Sequence, residues 1–116
     1  MGEGHEGCCA DVFKSEGAAS SIGEAQKAFG ALIRSVQAGG VLSEKAKELI
    51  LFSLVVHSRC HPCFDAHYQR ARELGITQAE LDEAAWCAIA MGGAPVKMFY
   101  QESLRAAQKR DGSAPA

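Results

Sequence analysis

From Ile22 onward apolar residues return at helical intervals: Ile22, Ala25, Phe29, Leu32, Ile33 and Val36. Spacings of three and four put them on one stripe of a 3.6-residue helix, with polar residues on the other side. Ser21 followed by Glu24 has the spacing of a capping box and predicts the start, and Gly39-Gly40 predicts the end. A second helix is capped by Ser43 and carries Ala46, Leu49, Ile50, Leu51, Phe52, Leu54, Val55 and Val56. Apolar residues on all its sides predict the central, buried helix of the fold.

The third periodic stretch begins just after Pro62 and runs through Phe64, Ala66, His67, Ala71 and Leu74 to a stop at Gly75. Proline suits a first helical turn, where its missing N–H has no intrahelical partner, so Cys60 falls at or beside the amino end. A fourth helix opens on Thr77 and Glu80, another capping-box pair, and carries Leu81, Ala84, Ala85, Cys87, Ala88, Ile89 and Met91 up to Gly92-Gly93. Pro95 starts a fifth, through Phe99, Tyr100 and Leu104. No stretch alternates with period two, so the expected class is all-α, with about five helices and no internal repeat.

Length and composition fit that picture. The 116 residues make one domain with a modest core, and a 47% apolar content is ordinary for a globular chain. Residues 1–19 are Gly-rich and are expected to form a mobile arm, residues 20–110 the helical domain, and residues 111–116 a polar tail. A net charge of −2 without a long run of one sign argues against nucleic acid or an anionic membrane surface as partner. The longest apolar run, Leu49 to Val56, is interrupted by Ser53 and far too short to span a bilayer. With no signal peptide evident, a cytoplasmic protein is expected. The breadth of apolar surface on helices this short predicts a face buried between subunits, hence a homo-oligomer.

The candidate chemistry lies in Cys60-His61-Pro62-Cys63-Phe64-Asp65-Ala66-His67. On a helix, Cys60, Cys63 and His67 share one stripe about two turns long, so two thiols and an imidazole meet in one small volume. Backbone N–H groups and the helix dipole at the amino end favour a thiolate, the nucleophilic form of cysteine. His67, one turn beyond Cys63, is placed to take a thiol proton. The set predicts a redox dithiol with a nearby base.

Other readings compete. Buried cysteines often act as small hydrophobes, a structural disulfide would need an oxidising compartment, and Cys60, Cys63 and His67 are three ligands that a tetrahedral zinc accepts. A metal site would need a fourth ligand, from Cys8, Cys9 or a neighbouring subunit. Cys8 and Cys9 themselves are two free thiols on the arm or an auxiliary contact to the main site. Cys87, among alanines, is expected in the core, and Trp86 as an anchor in the core or a subunit interface. His57 projects roughly opposite Glu48 and is expected at a helix end or interface. Arg59, beside the dithiol, has either a thiolate or a surface acid as partner. Glu48 shares its helix face with Leu51, Phe52 and Val55; it is either a partly desolvated carboxylate that needs a polar partner or an exposed residue of the second turn.

Glu48, eleven residues, Cys60-x-x-Cys63, three residues and His67 together resemble the signature of the AhpD-like, or alkylhydroperoxidase, branch of the carboxymuconolactone decarboxylase family. Ala-Arg-Glu-Leu-Gly-Ile-Thr with Glu80, and Met91-Gly92-Gly93-Ala94-Pro95 before the last helix, are similar to that family as well, so the likeness covers residues 20–108. The resemblance implies an all-α fold assembled as trimers or hexamers, with the dithiol near subunit contacts. It implies reduction of a hydroperoxide substrate or dithiol–disulfide exchange, with a dithiol or disulfide reductant as partner and no cofactor or metal. It also implies that Glu48 partners His67, and that decarboxylation, whose branch lacks the cysteine pair, is not the activity. His61-Pro62 fill the variable place between the cysteines, and the Cys8-Cys9 arm has no counterpart in the pattern.

Overall fold

The computed structural model describes residues 21–112; the arm with Cys8 and Cys9 and the end of the C-terminal tail lie outside them. Five helices follow in order: α1 (Gly23–Gln37), α2 (Glu44–Ser58), α3 (His61–Glu73), α4 (Gln78–Gly92) and α5 (Ala94–Arg110). Among the described residues there is no strand, and no helix is long and apolar enough to cross a membrane.

Three of the predicted starts form as local chemistry dictates. Ser43 Oγ accepts the Ala46 N–H at 3.0 Å and caps α2. Thr77 and Glu80 make a reciprocal box at α4, each side chain accepting the other residue's backbone N–H. Pro95 takes its place in the first turn of α5. The expected box at α1 does not form. That helix begins at Gly23 with Ile22 as its cap and no side-chain hydrogen bond, so Ser21 stands one residue outside the position from which a hydroxyl reaches the third amide.

Helix α2 packs against each of the other four. It runs parallel to α4, since Lys45 Nζ meets Glu80 Oε2 at 3.3 Å near one end while the His57 ring lies against Gly92 at the other. His57 is thus at the helix end. The core is aromatic at its centre: Phe64 has the rings of Phe52, Tyr68, Phe99 and Tyr100 around it, at centroid distances between 5.3 and 6.1 Å. Tyr100 carries its hydroxyl into this core and donates it to Asp82 Oδ1 at 2.5 Å. Burial first, and then that hydrogen bond, push the phenol well above its ordinary range.

Two expectations about burial are corrected here, and a third is narrowed. Helix α2 is central but not covered on every side, because Ile50 and Leu54 are 49% and 58% exposed, beside exposed Leu32 and Val36 of α1. Cys87 is exposed, not in the core. Trp86 is half exposed with Lys97 Nζ 5.9 Å above its ring, which rules out the core and leaves a subunit interface as its expected place. The reason is helical phase: Leu81, Ala85, Ala88 and Ile89 form the buried face of α4, which leaves residues 86 and 87 on the opposite side.

Candidate functional site

Helices α2 and α3 are joined by two residues, Arg59 and Cys60. Arg59 caps α2 in the left-handed conformation, with φ of 55°, which reverses the chain at once. Cys60 then caps α3, its sulfur accepting the Cys63 N–H at 3.3 Å, with Pro62 inside the first turn. Cys60 and Cys63 are joined as a disulfide, their Cα atoms 5.2 Å apart. Both are half-buried. Phe64 in the core and His61 on the Phe99 ring, 4.8 Å between centroids, hold this end of α3 in place.

One helical turn on, His67 is buried at 4% exposure. Its Nδ1–H donates to Glu48 Oε2 at 2.5 Å, and Glu48 is itself only 1% exposed. Glu48 is therefore the desolvated carboxylate of the two alternatives, supplied with polar partners from α3. The hydrogen bond fixes the imidazole tautomer and leaves Nε2 as the ring nitrogen able to accept a proton. Sequence reasoning passed over Arg70. Its Nε lies 3.3 Å from Glu48 Oε1, and its Nη2 lies 4.0 Å from Glu44 Oε2. The signal was its place three residues after His67, on the same stripe as the two cysteines and the histidine.

Cys63 and His67 both face a cavity of about 210 Å³ whose other walls are Ile33 and Val36 of α1 and Leu51, Leu54, Val55 and Ser58 of α2. Five aliphatic side chains thus surround one sulfur and one imidazole. Ser58 also borders a second, open depression of about 470 Å³, lined by Arg59, His61, Pro95, Met98, Phe99 and Glu102. Among the described residues no group of three or more His, Cys, Asp and Glu side chains is arranged to hold a metal ion.

A profile of the carboxymuconolactone decarboxylase family matches residues 23–109. The chain belongs to this family. Within the carboxymuconolactone decarboxylase fold, a solved structure of the apo form of a family protein from Legionella pneumophila aligns with a TM-score of 0.70 and 34% identity, over 76% of this chain and 79% of that one. An uncharacterized protein encoded in the cox locus of Paracoccus denitrificans is 28% identical over 103 residues, covering 83% of this chain and 93% of that protein. The matched span includes all five helices and every member of the Glu48, Cys60, Cys63, His67 and Arg70 cluster.

Proposed function

We propose that this family member is an AhpD-like thiol peroxidase, reducing organic hydroperoxides at the Cys60–Cys63 dithiol. The observation that carries the reading is the shared cavity: the sulfur of Cys63 and the imidazole of His67 lie in one apolar chamber, with His67 held from behind by buried Glu48. As a hydroperoxide enters the reduced protein, His67 Nε2 takes the Cys63 proton, and Glu48 stabilises the imidazolium that forms in that step. The Cys63 thiolate attacks one peroxide oxygen, the O–O bond breaks, and the departing alkoxide receives the proton from His67. Cys63 becomes a sulfenic acid, which the Cys60 thiol displaces to give water and the disulfide. Two electrons have then passed from the two thiols to the peroxide. An external dithiol returns the pair to the reduced state by exchange. The aliphatic walls favour an alkyl hydroperoxide over hydrogen peroxide, because the alkyl group loses contact with water on entering.

Stopped-flow oxidation of the reduced protein by tert-butyl hydroperoxide and by hydrogen peroxide tests this. Wild type is expected to lose two thiols rapidly to an intramolecular disulfide, faster with the alkyl substrate. Cys63→Ser abolishes the reaction, Cys60→Ser stops it at the sulfenic acid, and Glu48→Gln slows it by about 10–100-fold, as expected for a residue that orients the reacting imidazole. Thiol loss no faster than that of free cysteine would overturn the assignment.

A further inference from the structure

Glu48 places a carboxylate where almost no solvent reaches it, and His67 satisfies only one of its two oxygens. The other, Oε1, has Arg70 Nε 3.3 Å away, outside hydrogen-bonding alignment, so the contact is an ion pair and not a directional bond. We propose that Arg70 is a positioning residue for the dithiol: its guanidinium balances the buried Glu48 charge, and through Glu48 it holds His67 in the single tautomer and orientation that serves Cys63. The inference rests on the reading above that His67 acts on Cys63.

The arrangement is a row of alternating charge entering from the surface. Glu44, half exposed, is 4.0 Å from the outer nitrogen of Arg70; Arg70, 16% exposed, meets Glu48; Glu48 meets His67; and His67 shares its cavity with Cys63. Glu44 and Glu48 are one turn apart on α2, and Cys63, His67 and Arg70 follow at four and three on α3, so two facing helices build the row from their own periodicity. Other packed elements add little charge to it. Helix α1 presents Ile33 and Val36, Lys47 reaches the Ala38 carbonyl, Lys45 and Glu80 pair with each other, and the Tyr100 hydroxyl of α5 is engaged by Asp82. Arg70 is the cation in contact with Glu48. A buried carboxylate deprived of its cation draws the shared proton toward itself, and once neutral it neither fixes the Nδ1–H tautomer nor steadies an imidazolium, which disfavours the Cys63 thiolate. Because the contact is Coulombic, a lysine can replace much of it.

The test uses the full chain in a Cys60→Ser background, reduced, with two readouts that involve no peroxide. Iodoacetamide alkylation of Cys63 is followed at neutral pH by mass spectrometry of its peptide. The His67 tautomer is read from imidazole ¹⁵N shifts, assigned by comparison with His67→Gln. The parent protein is expected to show one tautomer, protonated at Nδ1. Arg70→Met is expected to mix the tautomers and slow alkylation by about tenfold, the effect of removing one opposite charge at this range. Arg70→Lys restores most of the rate, and Glu48→Gln with Arg70→Met is no slower than Glu48→Gln alone, since Arg70 acts through Glu48. If Arg70→Met fails to fold, recovery of folding in the double variant supports the charge-balancing role. Failure of both variants to fold, or a folded Arg70→Met with the parent tautomer and rate, would overturn the inference. Thiols inert to hydroperoxide would remove the peroxidase reading while leaving these two readouts to decide the role of Arg70.

Discussion

Replacing Phe64 by alanine tests whether the dithiol is anchored from inside the core. The ring is fully buried and has four aromatic neighbours, Phe52 at 5.3 Å, Tyr68 at 5.9 Å, Phe99 at 6.0 Å and Tyr100 at 6.1 Å. Truncation strips roughly 150 Å² of apolar surface, which at about 25 cal/mol per Å² is about 4 kcal/mol. The void left among stiff rings relaxes only in part, which brings the expected loss to about 4–5 kcal/mol. A domain of this size is held by about 5–14 kcal/mol in total, so the variant should sit near its folding threshold at room temperature. Urea unfolding of the reduced protein, followed by far-ultraviolet circular dichroism with the slope m compared between variants, measures the loss. Phe64→Leu, nearer in volume, is expected to lose only about 1–2 kcal/mol. A loss below about 1.5 kcal/mol for the alanine variant would refute the reasoning, because it would mean that the ring is not the anchor its contacts describe.

The remaining expectations concern pH, packing and assembly. Tyr100 keeps its proton in the folded chain at pH values where an unfolded tyrosine, near 10, has lost it, so the folded state binds more protons there and stability falls as pH rises past about 10. Tyr100→Phe should flatten that alkaline decline in the urea midpoint; an equally steep decline would remove Tyr100 as its source. At Gly92 an added Cβ would collide with Val96 Cγ2 and press on the His57 ring, so Gly92→Ala should lower the thermal midpoint by a loss of about 1–3 kcal/mol despite its better helix propensity. A stabilised variant would show that the turn between α4 and α5 yields easily. Ile50, exposed and outside the cavity wall, sits where a second copy is expected to pack. Light scattering should give a trimer or hexamer for wild type and a smaller species for Ile50→Glu, and a monomeric wild type would exclude the assembly.

The helices were legible because their signals are local. Ser43, Thr77 with Glu80, Pro62 and Pro95 act within one turn of where they stand, and apolar spacing then sets each helix between them. Apart from the Ser21–Glu24 box, which missed the cap position by one residue, what failed depended on surroundings. Cys87 and Ile50 carry core-like side chains, yet periodicity does not say which neighbour, if any, covers a given face. Glu48 was ambiguous for the same reason: its own helix places it between an apolar face and a charged first turn, and only the approach of His67 from nineteen residues away decides the matter. Arg70 went unnoticed because an arginine in a helix is ordinary until a buried carboxylate is known to lie across from it.

Cys60 joins two duties in a single atom. The sulfur that would enter the disulfide is also the acceptor that closes the first turn of α3. Any substitution there therefore edits secondary structure and chemistry together, and the two effects part only by choice of replacement. Serine keeps an acceptor at the cap and removes the thiol; alanine removes both and lets the turn fray. The same coupling works in the other direction. Were a partner thiol to form a mixed disulfide at Cys60 under the proposed function, the bond would draw on the same sulfur that closes the first turn of the helix carrying Cys63 and, one turn further on, His67.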